Sequence, residues 1–406
     1  MSIIENKSVS ATRAPKIRKG IIFWTYFVFV AWVPIESIYV IKDDENSGGF
    51  TISRLVGILL FGAAVLNWRL CFKRFPAVFW MVLWYLLVYS LSVFWLPGDP
   101  EPQFYSNQIT LVQLIILFLI SLNLFNDASF RQSLLNFYGW WTSLIAIGML
   151  FGVIGGEFLG FTGRMSILEQ DPNIAAGFFA LGAICIIGNV KKVISKSGVT
   201  SIFAVCIFIV AILQTGSRGG MSAFIAGVLG FGICIGKRNR FLSRAMIVGV
   251  VIGLLGYLVM QEFQEGTVMA FRLDQALREG DTAGRTKIWE AAWTMFLDKP
   301  ILGYGGYNNF LTLGSHLNLP IRDTHNLFLA LLTEVGLVGA VPFIVAFFYT
   351  LKKSWSYGKN TGNALPFALI CTLLAMNLSI TGNNQKLFWI VFAVAGACGM
   401  ESRNDL

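Results

Sequence analysis

His325 is one of two histidines in the chain. It stands in the run Asp323–Thr324–His325–Asn326–Leu327–Phe328–Leu329, where a polar stretch passes into an apolar one. An imidazole there can take a proton near neutral pH, and Asp323 or a backbone carbonyl can orient it. Two arginines have settings suited to an anion. Arg218 lies in Thr215–Gly216–Ser217–Arg218–Gly219–Gly220, a very short turn between two apolar helices. Ser217 can cap the second helix. The free N–H groups of a helix start, joined by a guanidinium, bind phosphate well. Gly219 and Gly220 let backbone approach closely. Arg285, in Gly284–Arg285–Thr286–Lys287–Ile288–Trp289, shares a helical face with Trp289. Two such arginines can clamp a pyrophosphate. Arg164, ahead of the helix entry Asp171–Pro172–Asn173, is a third candidate.

Each group also has a plainer reading: an interfacial histidine, a positive interface anchor, a surface salt bridge. For His316, in Gly314–Ser315–His316–Leu317, the plainer reading is preferred. Glu334 lies nine residues beyond His325, on roughly the opposite helix face. As an acid at membrane depth it calls for a function or a buried pair. Glu36, in Pro34–Ile35–Glu36–Ser37, reads as a boundary residue at headgroup level, with a place in the same cavity as the alternative.

The elements that must hold these groups are membrane helices. Of 406 residues, 55% are hydrophobic and only 13% are Asp, Glu, Lys or Arg; soluble domains carry about 25% charge. Mean hydropathy is +0.66. These values exclude a disordered chain, a nucleic-acid-binding module and an ordinary cytosolic enzyme. Uncharged runs at 75–98, 102–126, 132–156, 197–217 and 360–385 predict repeated membrane helices, each needing about 20 apolar residues. The expected fold is all-α and polytopic, with about twelve transmembrane helices. Lys and Arg concentrate in the tail at 1–19, in alternate loops and in the tail at 401–406, so both termini are expected in the cytoplasm. The net charge of +9 is a topology signal and calls for no nucleic acid. The expected order is a cytoplasmic tail at 1–19, helices over 20–260, a long external loop at 261–325, helices over 326–400 and a short tail at 401–406. Within the loop a helix is predicted near 284–297, with Trp289 and Trp293 on one face, followed by a Gly/Asn-rich loop at 303–322. The first apolar run, at 20–40, reads as a retained helix rather than a cleaved signal.

The six cysteines fall in spans or on the cytoplasmic flank, with no CxxC pair, and read as small apolar filler. Two isolated histidines without a neighbouring Cys or carboxylate ligand pattern make no metal site.

Thr215–Gly216–Ser217–Arg218–Gly219, Gly284–Arg285 followed by Trp289, Pro300–Ile301–Leu302–Gly303–Tyr304–Gly305, and His325–Asn326 through Glu334–Val335–Gly336 together resemble the O-antigen ligase and polysaccharide-polymerase family. The similarity is densest over roughly 205–345. The resemblance implies a GT-C-like glycosyltransferase of the bacterial inner membrane, acting on an undecaprenyl-diphosphate-linked glycan at the periplasmic face. It implies no metal, nucleotide sugar or other cofactor. Arg218, Arg285 and His325 match the family's catalytic positions. Arg164, Ser217, Gly219, Trp289, Asp323 and Asn326 are expected around the diphosphate or in the lid. In ligases the acceptor is lipid A–core oligosaccharide. In polymerases it is another lipid-linked repeat, with a chain-length regulator as a possible partner. The His–Asn and Ser–Arg–Gly arrangement favours the ligase reading. A transporter or flippase is the rival of another class; a transporter would show two matched halves or interrupted spans at midplane, and a flippase polar residues lining a route through both leaflets.

Overall fold

The computed structural model describes residues 20–36, 39–41, 50–157, 163–168, 170–189, 196–235 and 284–401. The expected span at 243–260, the stretch 261–283 of the expected loop and most of both tails lie outside the described residues. The architecture is helical. In chain order the helices are α1 (Ile21–Trp32), α2 (Ile52–Leu66), α3 (Trp68–Cys71), α4 (Ala77–Leu91), α5 (Pro102–Leu124), α6 (Ala128–Leu150), α7 (Pro172–Asn189), α8 (Lys196–Gln214), α9 (Arg218–Ile235), α10 (Arg285–Asp298), α11 (Asn308–His316), α12 (Leu327–Thr361), α13 (Leu365–Asn377) and α14 (Lys386–Glu401). Two short antiparallel hairpins, Tyr39–Ile41 with Phe50–Thr51 and Gly155–Glu157 with Met165–Ile167, lie between them.

The expectation of about twelve transmembrane helices in a GT-C-like arrangement is corrected by this structure. Among the described residues four helices are long and apolar enough to cross a membrane: Ala77–Trp95, Pro102–Leu124, Pro172–Asn189 and Leu327–Thr361. The other apolar helices, such as Ile52–Leu66 and Leu365–Asn377, have 10–17 residues. An uncharged run sets an upper limit on a helix and does not fix its length. The run at 360–385 is interrupted at Thr361–Gly362, where Gly362 takes a left-handed conformation, and again after Asn377 by a polar turn ending in a 3-10 turn at Gly382–Asn384. α6 has the length but carries Asn136, Thr142 and Ser143 along its course. A second correction concerns 303–322, read as loop: nine of its residues form α11, which buries Asn309, Leu313 and Gly314. The predicted helix near 284–297 is α10, shifted by one residue.

Small residues set how closely the helices approach, as packing within lipid requires. A Cβ on Gly220 would stand 2.3 Å from that of Ala176, so α9 lies hard against α7. Gly227 and Gly230 face Thr372 and Cys371 on α13. α12 packs on α4, where Phe343 meets Tyr85 edge to face at 5.2 Å. All six cysteines are free thiols.

α12 is broken at Gly336, whose φ of 58° and ψ of −164° leave the helical region. In an unbroken helix Leu337 N–H would donate to Thr333 and Val338 N–H to Glu334. Instead Leu337 donates to the Pro300 carbonyl at 2.8 Å and Val338 to that of Ile301 at 3.1 Å. The two released carbonyls accept from the loop: Thr333 from Tyr304 N–H at 2.8 Å and Glu334 from Gly305 N–H at 2.9 Å. The break therefore exchanges two helix bonds for four bonds to residues 300–305, which fastens α10 and α11 to α12.

Candidate functional site

Asn326 starts α12. Its Oδ1 accepts from the N–H groups of Phe328 (3.0 Å) and Leu329 (3.2 Å), a cap that stabilises a helix by about 1 kcal/mol. His325, one residue before this cap, has φ of 50°. A non-glycine residue in the left-handed region costs on the order of 1–2 kcal/mol, so the surroundings must hold it. Thr324 supplies one tie, its hydroxyl donating to the Asn326 carbonyl at 2.9 Å. Trp289 of α10 supplies another, its indole N–H donating to the Thr324 carbonyl at 3.0 Å. That bond brings the helix opening with Arg285 onto the histidine turn.

His325 Nδ1 lies 3.7 Å from Asp323 Oδ2. The other oxygen, Oδ1, accepts from the Thr381 hydroxyl at 2.7 Å, and Thr381 also approaches Thr324. Burial pushes the imidazole pKa below its usual 6.5; Asp323 opposes this, the Arg285 and Arg322 charges add to it, and Asp171 opposes it. The balance favours the neutral ring, which has a carboxylate beside one nitrogen.

Ser217 and Arg218 stand at the start of α9. The Ser217 hydroxyl accepts from Gly220 N–H at 3.0 Å and donates to Asn173 Oδ1 at 2.9 Å. Arg218 is half-buried at the first helical position. Gly219 is required by packing: a Cβ there would lie 2.1 Å from the Ser379 hydroxyl. Ser379 is two residues from Thr381, so the Arg218 end of α9 reaches the turn that holds Asp323. Arg164 is buried, with Nε donating to the Thr215 carbonyl at 2.8 Å and Nη2 to Asn173 Oδ1 at 3.3 Å. Both bonds brace the turn that carries Arg218.

The structure therefore joins Arg285, Trp289, Asp323, His325 and Asn326 by direct bonds or near charges. It links Arg164, Ser217, Arg218 and Gly219 into a second cluster, connected to the first through 379–381. His316 stays apart: its Nδ1 faces the Thr312 carbonyl of its own helix at 2.9 Å. Glu334 is buried and accepts from the Tyr85 hydroxyl at 2.8 Å; Asn383 Nδ2 donates to that hydroxyl at 3.1 Å. Glu36 pairs with Lys386.

Sequence reasoning names Asn173 only as part of the helix entry Asp171–Pro172–Asn173, without a role at the site, and does not single out Thr381 or Asn383. Thr381 and Asn383 sit in Thr381–Gly382–Asn383–Asn384, which resembles any polar turn.

Residues 202–344 match the family model described as O-antigen ligase. That stretch holds Ser217, Arg218, Gly219, Arg285, Trp289, Asp323, His325 and Asn326, while Arg164 and Thr381 lie beyond it. No curated protein matches the chain. The chain is thus a multi-pass helical membrane protein with an O-antigen ligase domain similarity over its His- and Arg-bearing part.

Proposed function

We propose that the protein is a membrane glycosyltransferase of the O-antigen ligase type, moving a glycan from undecaprenyl diphosphate to a lipid A–core acceptor at the periplasmic face of the inner membrane. The observation that supports this best is His325 held beside Asp323, with α10 and its Arg285 docked on the same turn through Trp289. In this reading the acceptor hydroxyl gives its proton to His325 Nε2 as its oxygen bonds to the anomeric carbon. The bond from that carbon to the diphosphate oxygen breaks, and undecaprenyl diphosphate leaves with the electron pair. Displacement at the carbon inverts it. Arg218 and Arg285 stabilise the charge growing on the leaving group. Asp323 keeps the ring oriented and stabilises its protonated form.

The test is transfer by purified protein supplied with the lipid-linked glycan and lipid A–core. Glycosylated core is the expected product. Extension of the lipid-linked glycan itself, with the core untouched, supports the polymerase reading; solute uptake without transfer supports a transporter.

A pH profile gives a further expected result. A base with a lowered pKa stays unprotonated to lower pH, so the acidic limb of the transfer rate lies below the usual histidine value. Arg285→Gln removes a charge that opposes protonation, and the limb moves to higher pH. Asp323→Asn removes a charge that favours it, and the limb moves lower. Rates measured between pH 4 and 8 check both signs.

A further inference from the structure

The tip of the loop at residues 300–302 carries apolar side chains that the protein leaves uncovered. Ile301 is 63% exposed, and Leu297 and Trp293, one and two turns back along α10, are 61% and 48% exposed. Thr294 and Asp298 form an adjoining exposed polar flank, and Glu290 lies on the Leu297 face two turns nearer the N-terminus. Ile288, Ala292 and Met295 form the side buried in the protein. α10 thus has three sectors, and its apolar exposed sector grows toward its C-terminal end.

Where that sector sits follows from α12. The Ile301 carbonyl accepts from Val338 N–H, and the Val338 carbonyl accepts from the Trp84 indole at 3.0 Å. Val338 lies fourteen residues before Lys352 on α12, about 21 Å at 1.5 Å per residue. Trp84 lies seven residues beyond Ala77, where α4 begins just after Arg74, about 10 Å by the same rise. Against a hydrocarbon layer of about 30 Å, both place Val338 well below the membrane face on which the site stands. Leu337, Val338 and Val341 point outward from this part of α12, so lipid covers them. Ile301 is bonded to the same surface and continues it.

We infer that residues 300–302 are a re-entrant tip seated in the acyl region of the bilayer, with α10 tilted so that Leu297 and Trp293 follow it in and Arg285 stays at the polar end. Irregular backbone at that depth is tolerated when its polar groups are paired within the protein. The four bonds to the break at Gly336 provide that pairing, and Gly303 N–H adds a bond to the Lys299 carbonyl at 3.1 Å. The flanking charges turn back over Tyr304: Asp298 accepts its hydroxyl at 2.5 Å, and Lys299 Nζ stands 4.4 Å from its ring centre. The tip fixes the height of Arg285 relative to the lipid.

The experiment uses the full chain, with Cys206 and Cys371 replaced by Ser, in vesicles of phosphatidylethanolamine and phosphatidylglycerol. A nitroxide is attached in turn at Glu290→Cys, Trp293→Cys, Leu297→Cys and Ile301→Cys, and its access to dissolved oxygen and to a water-soluble nickel chelate is read. The expected result is a graded series, with nickel access at 301 several-fold lower than at 290 and oxygen access higher. Equal nickel access at 290 and 301 overturns the inference. Low access to both reagents at 301 marks a protein neighbour, such as a second copy of the chain, and overturns it too. Ile301→Asp and Thr294→Asp give a readout free of the label: the first lowers thermal stability in vesicles and the second leaves it unchanged. Equal effects contradict the inference. None of these outcomes depends on glycosyl transfer.

Discussion

His325→Ala removes glycan transfer almost entirely while leaving the folded protein intact. General-base catalysis contributes about 10²–10⁴-fold, and the loss falls on kcat, because the imidazole acts on a proton that moves only in the reaction. Folding is spared because the ring is not packed in the core. It is half-buried, and it pairs with the Asp323 carboxylate at 3.7 Å. The left-handed backbone at 325 belongs to the turn, and alanine, which carries a Cβ as histidine does, adds at most a small further strain. Arg218→Ala and Arg285→Ala lower transfer as well, through the leaving group. With Arg285 absent the remaining activity has its acidic limb moved to higher pH, and with Arg218 absent no such movement is expected from the groups that face His325. Turnover rates of the three proteins, compared at matched helical content, decide the matter. Ordinary turnover by all three refutes the proposed chemistry.

The second large effect is structural. Gly336→Ala destabilises the protein by about 2–4 kcal/mol and takes transfer with it. A Cβ at 336 would stand 2.3 Å from the Ile301 carbonyl oxygen and 2.4 Å from its carbon, with φ at 58°. Both obstacles are backbone, which cannot swing aside as a flexible side chain does. Gly303 is the facing half of this contact: its Cβ would lie 2.7 Å from the Glu334 carbon and the Gly336 nitrogen, at φ of 68°. Either substitution separates residues 300–305 from α12, releasing the four bonds made at the break. α10 then loses its anchor, and Arg285 and Trp289 lose their place beside the histidine turn. Gly284→Ala is the control. It also has a positive φ, 72°, but nothing lies within 4 Å of the added carbon, so its cost stays near 1 kcal/mol. Thermal unfolding of the three variants separates the contributions. Equal losses at 284 and 336 would show that backbone conformation, and not the contact with Ile301, carries the effect.

These two predictions rest on different kinds of residue, and the sequence disclosed them unequally. His325, Asp323 and Asn326 are adjacent in the chain, so their partnership is local: a cap on Asn326, a carboxylate two residues before the imidazole. Arg285 and Trp289 are one helical turn apart, and α10 was legible because its apolar and aromatic residues recur at helical spacing. The membrane setting was legible from composition, since lipid-facing and core-facing side chains are both apolar. That same fact explains the error in the number of spans. Hydropathy does not distinguish a helix that crosses the bilayer from a short one packed among others, and turns such as that after Asn377 interrupt an uncharged run without any charge to mark them.

What the sequence by itself determined is therefore the helical membrane class, the resemblance over its His- and Arg-bearing part, and the local chemistry of each motif. The tertiary structure alone decided which motifs meet. Trp289 finds the Thr324 carbonyl, Thr381 finds Asp323 from 58 residues away, and Gly219 seats α9 against Ser379. It also decided that Tyr85 is the partner of Glu334, and that residues 300–305 pair with a broken helix. The physical reason is common to all of these. A side chain's type and its neighbours in sequence fix what it can bond. The partner across the fold is chosen by backbone groups and small residues whose freedom to approach is set by how whole helices pack.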